Sequence, residues 1–305
     1  MLRDFWSRLR WNLCAPEYIF RPAQLLRRAR RRFAPHPPEV CRLPWGLDLR
    51  LSPGEMISRS IARKGIYDLV LTETVWRLLD EGEFALDVGA HLGYVTSLMA
   101  ARVGGRGKVI GIEPHPDLFQ ELSRNAARWK GAPKSAEVVV LNVAASDVTG
   151  AGYLRIPPDW ELNRGVASVL AQNQDLDESD RKCAVRRERL DSLLDANSRV
   201  GVAKLDVEGH EDAVLRGAEG FLGRGAIRDI VFEDFGRHPT AAMLLLEGFG
   251  YKVFSLAKAL WGPRLAPADR SGVARWNDPN YLATLDPTRA IARLGKRGWA
   301  VLKNR

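Results

Sequence analysis

The chain has 305 residues, of which 46% are apolar and 27% charged, and its formal net charge is +9. This composition excludes wholesale disorder and a collagen-like or low-complexity chain, and no apolar run reaches the ~18 residues that a membrane span needs. The length favours one enlarged α/β domain with appendages over two large domains.

The first 45 residues are predicted to be a basic arm and a Pro-rich linker. Residues 1–42 contain ten Arg, no Lys and three acidic residues, so this part carries +7 and the other 263 residues carry about +2. Four prolines between positions 35 and 44 predict extended geometry and a boundary. Two interpretations of the arm stay open: a partly ordered, solvated segment, and a contact surface for an anionic membrane or an anionic substrate.

Cysteine and histidine are too sparse to indicate a disulfide framework or a metal centre. The residues that a thiolate or imidazole site would need are scattered along the chain, at Cys14, Cys41, Cys183, His91, His115 and His210. We therefore expect no metal ion and a reducing, cytoplasmic compartment, with peripheral attachment to a membrane as an open alternative.

Strand and helix patterns alternate from residue 46 onward. Leu47, Leu49 and Leu51 alternate as in a short strand, and a helical stripe follows before Glu81. Strands are then predicted by five apolar runs, at 84–88, 108–112, 138–141, 202–205 and 230–232. Helical stripes follow the first two runs, and the last three lack polar alternation, which is typical of parallel strands buried on both faces. The pattern predicts an α/β fold with a mostly parallel sheet.

The rest of the chain predicts an insertion and an irregular end. Between Gly150 and Glu188 the alternation stops, which predicts an inserted hairpin and loop. A helix over 240–247 and two edge strands, over 251–256 and 281–285, complete a domain that we place at 46–285. The final residues, 286–305, are predicted to be a basic tail.

A glycine turn follows the first of the five runs. It carries the acid Asp87 and two glycines, Gly89 and Gly93, where a dinucleotide fingerprint has three glycines. Such a turn brings backbone N–H groups close to a ligand at the carboxyl edge of the sheet. An acid here repels a pyrophosphate but suits a cationic amino group, which favours an aminoacyl nucleoside such as S-adenosylmethionine. Glu113, at the end of the next strand, can accept both ribose hydroxyls.

A second cluster of ionisable residues follows the run at 202–205. The spacing of Asp206 and Glu208 predicts that they point to one side, and His210, two residues on, can join them. A carboxylate or imidazole here can accept a hydroxyl proton as a methyl group arrives. The alternative is that these residues only cap the next helix. Glu233-Asp234, with Arg237-His238, are reserve candidates for lining a substrate pocket.

Five motifs in this order resemble the FkbM-type S-adenosylmethionine-dependent methyltransferases. They are Asp87–Tyr94, Val109–Pro116, Arg189–Leu193, Lys204–Glu211 and Val214–Ala218, and the resemblance covers roughly residues 65–256. One departure is His91, where the family commonly has Asn. The arm and the last ~45 residues fall outside the resemblance.

The resemblance implies a class I methyltransferase with a seven-stranded, Rossmann-like, mostly parallel sheet. It implies a methyl donor over Asp87, Gly89, Gly93 and Glu113, and we expect the adenine near the segment 142–147. The predicted donor contacts are Tyr67, Asp87, Gly89, Gly93, Glu113, Asn142 and Asp147. The predicted catalytic residues are Asp206, Glu208 and His210.

The resulting hypothesis is O-methylation of a hydroxyl on a sugar, a glycolipid or a polyketide-like small molecule. Three alternatives stay open: a nucleic-acid methyltransferase that uses the basic arm, a nicotinamide-dependent oxidoreductase, and a donor-binding module without catalysis. The near-neutral body disfavours nucleic acid, and the missing third glycine disfavours the oxidoreductase.

Overall fold

The structure, a computed structural model, describes residues 39–302 except 53, 134, 171–176, 178, 237 and 269–279. Before residue 39 it describes Pro16 alone. The predicted basic arm therefore lies almost entirely outside the described residues, and so does Arg237.

The described residues form fourteen strands. In chain order they are β1 (Val40–Arg42), β2 (Asp48–Arg50), β3 (Phe84–Val88), β4 (Lys108–Ile112), β5 (Glu137–Leu141), β6 (Ala144–Ala145), β7 (Gly150–Ile156), β8 (Ser168–Val169), β9 (Arg181–Glu188), β10 (Val200–Leu205), β11 (Ile227–Glu233), β12 (Lys252–Ala259), β13 (Gly262–Pro267) and β14 (Asn280–Thr284).

The same residues form nine α-helices. They are α1 (Met56–Lys64), α2 (Leu69–Leu78), α3 (Tyr94–Val103), α4 (Pro116–Trp129), α5 (Leu190–Leu193), α6 (Glu211–Arg216), α7 (Glu219–Gly223), α8 (Ala241–Gly248) and α9 (Pro287–Leu294). In the described part of the chain, no helix combines the length and apolar content of a membrane span.

An eight-stranded sheet is the centre of the fold. Its order is β13-β12-β14-β11-β10-β3-β4-β5. The five strands from β11 to β5 are parallel, and β14 pairs antiparallel with both β11 and β12. The parallel strands therefore bring the ends of β3, β4, β10 and β11 to one edge, where an open α/β sheet binds its ligands.

Helices cover both faces of this sheet. One buried cluster includes residues of α2, α3 and α9, such as Val75, Leu98 and Leu294. The other includes residues of α6, α7 and α8, such as Val214 and Phe221. The helices therefore bury these parallel strands on both sides. Because neighbouring residues of a strand point to opposite faces, consecutive positions are mostly apolar and form nearly continuous runs.

The insertion predicted between 150 and 188 forms a small second sheet together with β6, which precedes it. Its strand order is β6-β9-β7-β8, and β7 and β9 pair antiparallel from Gly150–Arg187 to Ile156–Arg181. Leu154, Ile156 and Trp160 form a buried cluster with Leu118 of α4. The insertion is therefore anchored on the helix that follows β4, beside the carboxyl edge of the main sheet.

The sheet has one strand more than the seven predicted. The extra strand is β13, which returns from β12 as a hairpin and forms the edge. Pro263 and Pro267 interrupt its apolar pattern, and prolines are tolerated there because an edge strand leaves half of its N–H groups unpaired. The segment 281–285, predicted at an edge, belongs to β14 inside the sheet.

Both predicted boundaries of the domain shift outward. Residues 40–42, predicted as linker, form β1, and Cys41 and the following Leu43 are buried. Residues 287–302, predicted as tail, contain α9 and bury Trp299 completely. The buried carboxylate of Glu73 accepts hydrogen bonds from the backbone N–H groups of residues 300 and 301, at 2.7 and 2.9 Å. The sequence of this segment is rich in basic residues, so its pattern did not predict that a few apolar residues enter the core.

Candidate active-site cleft

A cleft of about 300 Å³ lies at the carboxyl edge of the main sheet. Its walls come from the ends of β3, β4, β10 and β11, from the segment before α2, and from the insertion. Its volume is at the lower end of the range for small-molecule sites. Of the predicted site residues, the cleft is lined by Tyr67, Gly89, Glu113, Asp206 and Glu208.

The turn after β3 presses against the end of β10. Gly89 has φ +76°, and a Cβ atom there would lie 1.8 Å from the carbonyl oxygen of Asp206. The N–H groups of Gly89 and Ala90 both donate to the carbonyl of Ile112, at 3.0 and 2.9 Å. Glycine is thus required for contact between two backbone segments, and this contact sets the position of Asp206 relative to the turn.

Glu113 is buried at the end of β4 and holds two turns in place. Its carboxylate accepts the N–H of His91 and the N–H of His115, each at 2.9 Å. Burial raises the pKa of Glu113 to about 7, although these two hydrogen bonds and Lys204 act in the other direction. Each oxygen keeps a lone pair, so the carboxylate can still accept hydroxyl groups from a ligand in the cleft.

A buried lysine links Asp87 to Asp206. Lys204 Nζ donates to the carbonyl of Gly89 at 2.6 Å and lies 3.3 Å from Asp87 Oδ1 and 3.4 Å from Asp206 Oδ2. Burial opposes the charge of this ammonium, but Asp206 and Asp87 together raise the pKa of Lys204 above its usual value. Sequence reasoning overlooked Lys204 as a site residue, although a lysine inside an apolar run is itself unusual.

Glu208 has an uncommon backbone conformation. Its φ is +54°, in the left-handed region that a residue with a long side chain seldom adopts. In the described part of the chain its carboxylate makes no hydrogen bond or ion pair, yet it lines the cleft. Burial raises the pKa of Glu208 to about 7, and the negative charges of Asp206 and Glu211 add to the effect. The strained turn therefore aims an unpaired carboxylate into the cleft.

His210 and Asp147 lie behind the cleft wall. His210 Nε2 is 3.0 Å from the hydroxyl oxygen of Ser146, and burial lowers the pKa of His210. Asp147 Oδ2 accepts a hydrogen bond from Arg216 Nε at 3.4 Å. These contacts hold the end of β6 against α6. His210 was predicted to join Asp206 and Glu208, but it is not among the described residues that line the cleft with them.

Three other predicted donor contacts, Asp87, Gly93 and Asn142, are not among the described residues that line the cleft. Asp87 is fully buried and accepts a hydrogen bond from the hydroxyl of Thr96 at 2.6 Å. A Cβ atom at Gly93 would lie 2.8 Å from Leu122 on α4, so this glycine allows α3 and α4 to approach. Asn142 donates to two backbone carbonyls, those of residues 113 and 114, each at 2.9 Å. These residues shape the site from outside it.

The insertion supplies one wall that the sequence did not predict. Arg164, in the connection between β7 and β8, is buried and donates to Glu121 Oε1 of α4 at 2.6 Å. Its guanidinium lies 4.8 Å from the ring centroid of Trp160, and Trp160 stacks on His115 at 4.3 Å. The segment has no periodicity and its partner is 43 residues away, so no local pattern marks Arg164 as a site residue.

Exposed aromatic rings stand at the mouth of the cleft. Tyr67 is 40% exposed, and its ring meets that of Tyr94 edge to face with centroids 6.5 Å apart. Phe235, after β11, is 66% exposed. Both line the cleft together with Glu233, one of the reserve candidates. Such rings offer flat apolar surface to a ligand that enters from solvent.

Carboxylates dominate the charge of the cleft. Among the lining residues that the structure describes, five are acidic: Asp68, Glu113, Asp206, Glu208 and Glu233. Arg164 is the one Lys or Arg side chain among its described lining residues. The site therefore favours a cationic or neutral ligand over a phosphate or another polyanion.

The sequence profile described as "Methyltransferase FkbM domain" matches residues 87–253, which is more than half of the chain. The match begins in β3 and ends in β12, so it spans Glu113, Asp206 and Glu208 as well as the insertion. Comparison with curated proteins finds no match.

Solved structures similar to this chain include three methyltransferases. For the FkbM methyltransferase of Methylobacillus flagellatus the identity is 17%, the coverage is 72% of this chain and 46% of that chain, and the TM-score is 0.43. An O-methyltransferase of Thermotoga maritima is 16% identical, the match covers 72% of this chain and 65% of that chain, and the TM-score is 0.41. Aeropyrum pernix fibrillarin, solved with bound S-adenosyl-L-methionine, is 16% identical. That match covers 70% of this chain and 74% of that chain, with a TM-score of 0.39. The match thus spans less than half of the Methylobacillus chain.

Proposed function

Since this chain belongs to the FkbM family of S-adenosylmethionine-dependent methyltransferases, we propose that it methylates a hydroxyl group of a sugar, a glycolipid or a polyketide-like small molecule. The observation that carries the proposal is the unpaired carboxylate of Glu208 in an acid-lined cleft. A carboxylate in that position can take the proton that a hydroxyl loses when it is methylated.

The residues present fit a cationic aminoacyl-nucleoside donor. S-adenosylmethionine, when bound, supplies an electrophilic methyl group on a positively charged sulfur. The five lining carboxylates favour that charge, and the buried oxygens of Glu113 can accept ribose hydroxyls. Ile112, Pro114, Leu118 and Ala144 offer an apolar surface for a base beside Glu113. The donor contacts of Tyr67 and Gly89 belong to the same proposal.

The acceptor end of the cleft is assigned to Asp206, Glu208 and the aromatic rings at the mouth. Asp206 is held by Lys204 at 3.4 Å, which fixes its orientation and keeps its second oxygen available to bind a hydroxyl. Glu208 then removes the proton of that hydroxyl as the hydroxyl oxygen attacks the methyl carbon. The new C–O bond forms while the carbon–sulfur bond of the donor breaks. Holding the two substrates in line contributes most of the acceleration in such displacements.

The charge of the cleft argues against the nucleic-acid alternative. A polyphosphate backbone is bound by clusters of Lys and Arg, whereas the described lining residues of this cleft include five acids and one Arg. The carboxylates of the cleft repel such a backbone but do not repel a neutral polyol. To compare the two, we would incubate the full chain with methyl-labelled donor and either neutral glycosides, glycolipids and polyketides or RNA and DNA. Label in the neutral acceptors supports the proposal, and label only in nucleic acid overturns it.

Replacing Glu113 by Ala should weaken donor binding by about 1.5–3 kcal/mol, because the ribose loses charge-assisted hydrogen bonds. The melting temperature should fall as well, since two backbone N–H groups lose their acceptor. Calorimetric titration with S-adenosylhomocysteine checks the binding, and NAD serves as the ligand that should not bind. An unchanged dissociation constant in a folded Glu113→Ala protein would remove Glu113 from the donor site.

Replacing His210 by Ala should cost about 0.5–1.5 kcal/mol of stability, the usual value of one hydrogen bond, here the bond to Ser146. Turnover should stay within about threefold of wild type, because His210 stands behind the cleft wall. Denaturant unfolding and a methyl-transfer assay on the same preparation give both values. A hundredfold loss of turnover at unchanged stability would restore His210 to the catalytic group.

A further inference from the structure

A surface that shares no described residue with the cleft combines exposed apolar and basic side chains. It lies where the β12–β13 hairpin meets α9 and the residues after α9. Its members, here named the hairpin patch, are Leu260, Trp261, Ile291, Arg264, Lys296 and Arg297. The cleft at the carboxyl edge uses none of these residues.

The apolar part of the hairpin patch is unusually exposed. Trp261 is 56% exposed, Ile291 53% and Leu260 44%. Large apolar side chains exposed side by side indicate an interaction surface for a protein, a membrane or a ligand. Trp in particular is enriched where an apolar phase meets water, because its ring is apolar and its indole N–H is polar.

The backbone under these side chains is held firmly. The N–H of Gly298 donates to the carbonyl of Trp261 at 2.7 Å, and Trp299 Nε1 donates to the carbonyl of Leu260 at 3.0 Å. The side chain of Trp299 is fully buried. The hairpin tip is therefore attached to the core and presents its side chains at fixed positions.

The charged part of the patch has one sign. Arg264, Lys296 and Arg297 are exposed, and in the described part of the chain none of the three forms an ion pair. Among the described residues that line the groove they share with Trp261 and Ile291, none is acidic. Three cations around an exposed Trp are complementary to a surface that is anionic outside and apolar beneath.

We propose that the hairpin patch docks this protein on an anionic lipid bilayer, with Trp261 at the depth of the headgroups and the three cations against the lipid phosphates. Each basic residue held near such a surface strengthens binding about fivefold. Salt screens this attraction, and a bilayer without anionic lipid offers none of it. The proposal does not depend on which molecule is methylated.

The test uses the full chain and sedimentation with two kinds of vesicle, phosphatidylcholine alone and phosphatidylcholine mixed with phosphatidylglycerol. Wild type should bind the anionic vesicles more strongly, and added salt should reduce the difference. The double variant Lys296→Gln/Arg297→Gln should bind them about 25-fold more weakly. The matched control is Arg181→Gln/Lys182→Gln, which removes two exposed cations from β9 and should change binding less than twofold.

Quenching by brominated lipid locates the contact. The Trp261→Phe variant keeps an apolar side chain, so it should still bind the anionic vesicles while losing most of the wild-type quenching. Circular dichroism confirms that each variant is folded. The proposal is overturned if the patch variant and the β9 control bind equally well, if both vesicle types bind wild type equally, or if quenching persists without Trp261.

Discussion

Replacing Glu208 by Gln should lower the rate of methyl transfer by about 10²–10⁴ while donor affinity and melting temperature stay close to wild type. That range is the usual loss when a general base is removed. In the described part of the chain Glu208 makes no hydrogen bond or ion pair, so the amide leaves no local partner unsatisfied. Single-turnover measurements with saturating donor and a cognate acceptor give the rate directly.

The Glu208→Gln variant should also lose a pH dependence of the methyl-transfer rate. Glu208 has its pKa raised to about 7, so below pH 7 the carboxyl is protonated and cannot accept a proton. The wild-type rate should therefore rise with pH through about 7 and level off above it. In Glu208→Gln this limb should be absent. A limb that stays at the same pH in the variant would show that another group titrates.

Two other carboxylates of the cleft serve as comparisons. Asp206→Asn should lose turnover and some stability together, because it also removes a charge 3.4 Å from buried Lys204. Glu233→Gln removes one negative charge from the same cleft and should change the rate much less. Near-wild-type turnover in both Glu208→Gln and Asp206→Asn would contradict the assigned role and direct attention to Glu233.

Replacing Gly89 by Ala should destabilise the protein by about 3 kcal/mol or more. A Cβ atom would lie 1.8 Å from the carbonyl oxygen of Asp206, which is backbone and cannot rotate away. The residue also has φ +76°, which adds about 1 kcal/mol of conformational cost for Ala. Donor binding and turnover should fall with stability, since relief of the clash moves Asp206.

Gly209→Ala provides the matched control. Gly209 has φ +90° and nothing within 4 Å of a Cβ atom, so Ala there should cost only the conformational part, about 1 kcal/mol. Denaturant unfolding of the two variants isolates the effect of the close approach. Equal losses of stability at both positions would mean that the turn after β3 moves away from β10 without cost.

The central sheet could be predicted because local patterns specify it. The runs at 84–88 and 108–112 coincide with β3 and β4, since parallel strands buried on both faces leave uninterrupted apolar segments. β13 could not be predicted, because its prolines break the pattern and only its pairing with β12 makes it a strand. The burial of Trp299 likewise depends on a distant part of the chain, because its indole N–H donates to the carbonyl of Leu260 in the β12–β13 turn.

The candidate site could be predicted only in part. Motif spacing placed Glu113, Asp206 and Glu208 at one edge, where they line the cleft. It could not distinguish lining residues from those behind them, such as Gly93, because a glycine that allows two helices to approach has the same local sequence as one that faces a ligand. The wall containing Arg164 comes from a segment without periodicity, and its position follows from an ion pair with α4.

The position of Trp299 has a consequence for how the chain acquires its structure during synthesis. One of the two cores includes residues of α2, near the start of the domain, together with Trp299, Val301 and Leu302. Glu73 of α2 stays without two of its hydrogen-bond donors until residues 300 and 301 have emerged from the ribosome. The helices of that face must therefore stay partly uncovered until residues 299–302 have been synthesised. The opposite core uses no residue after 285 and can close earlier.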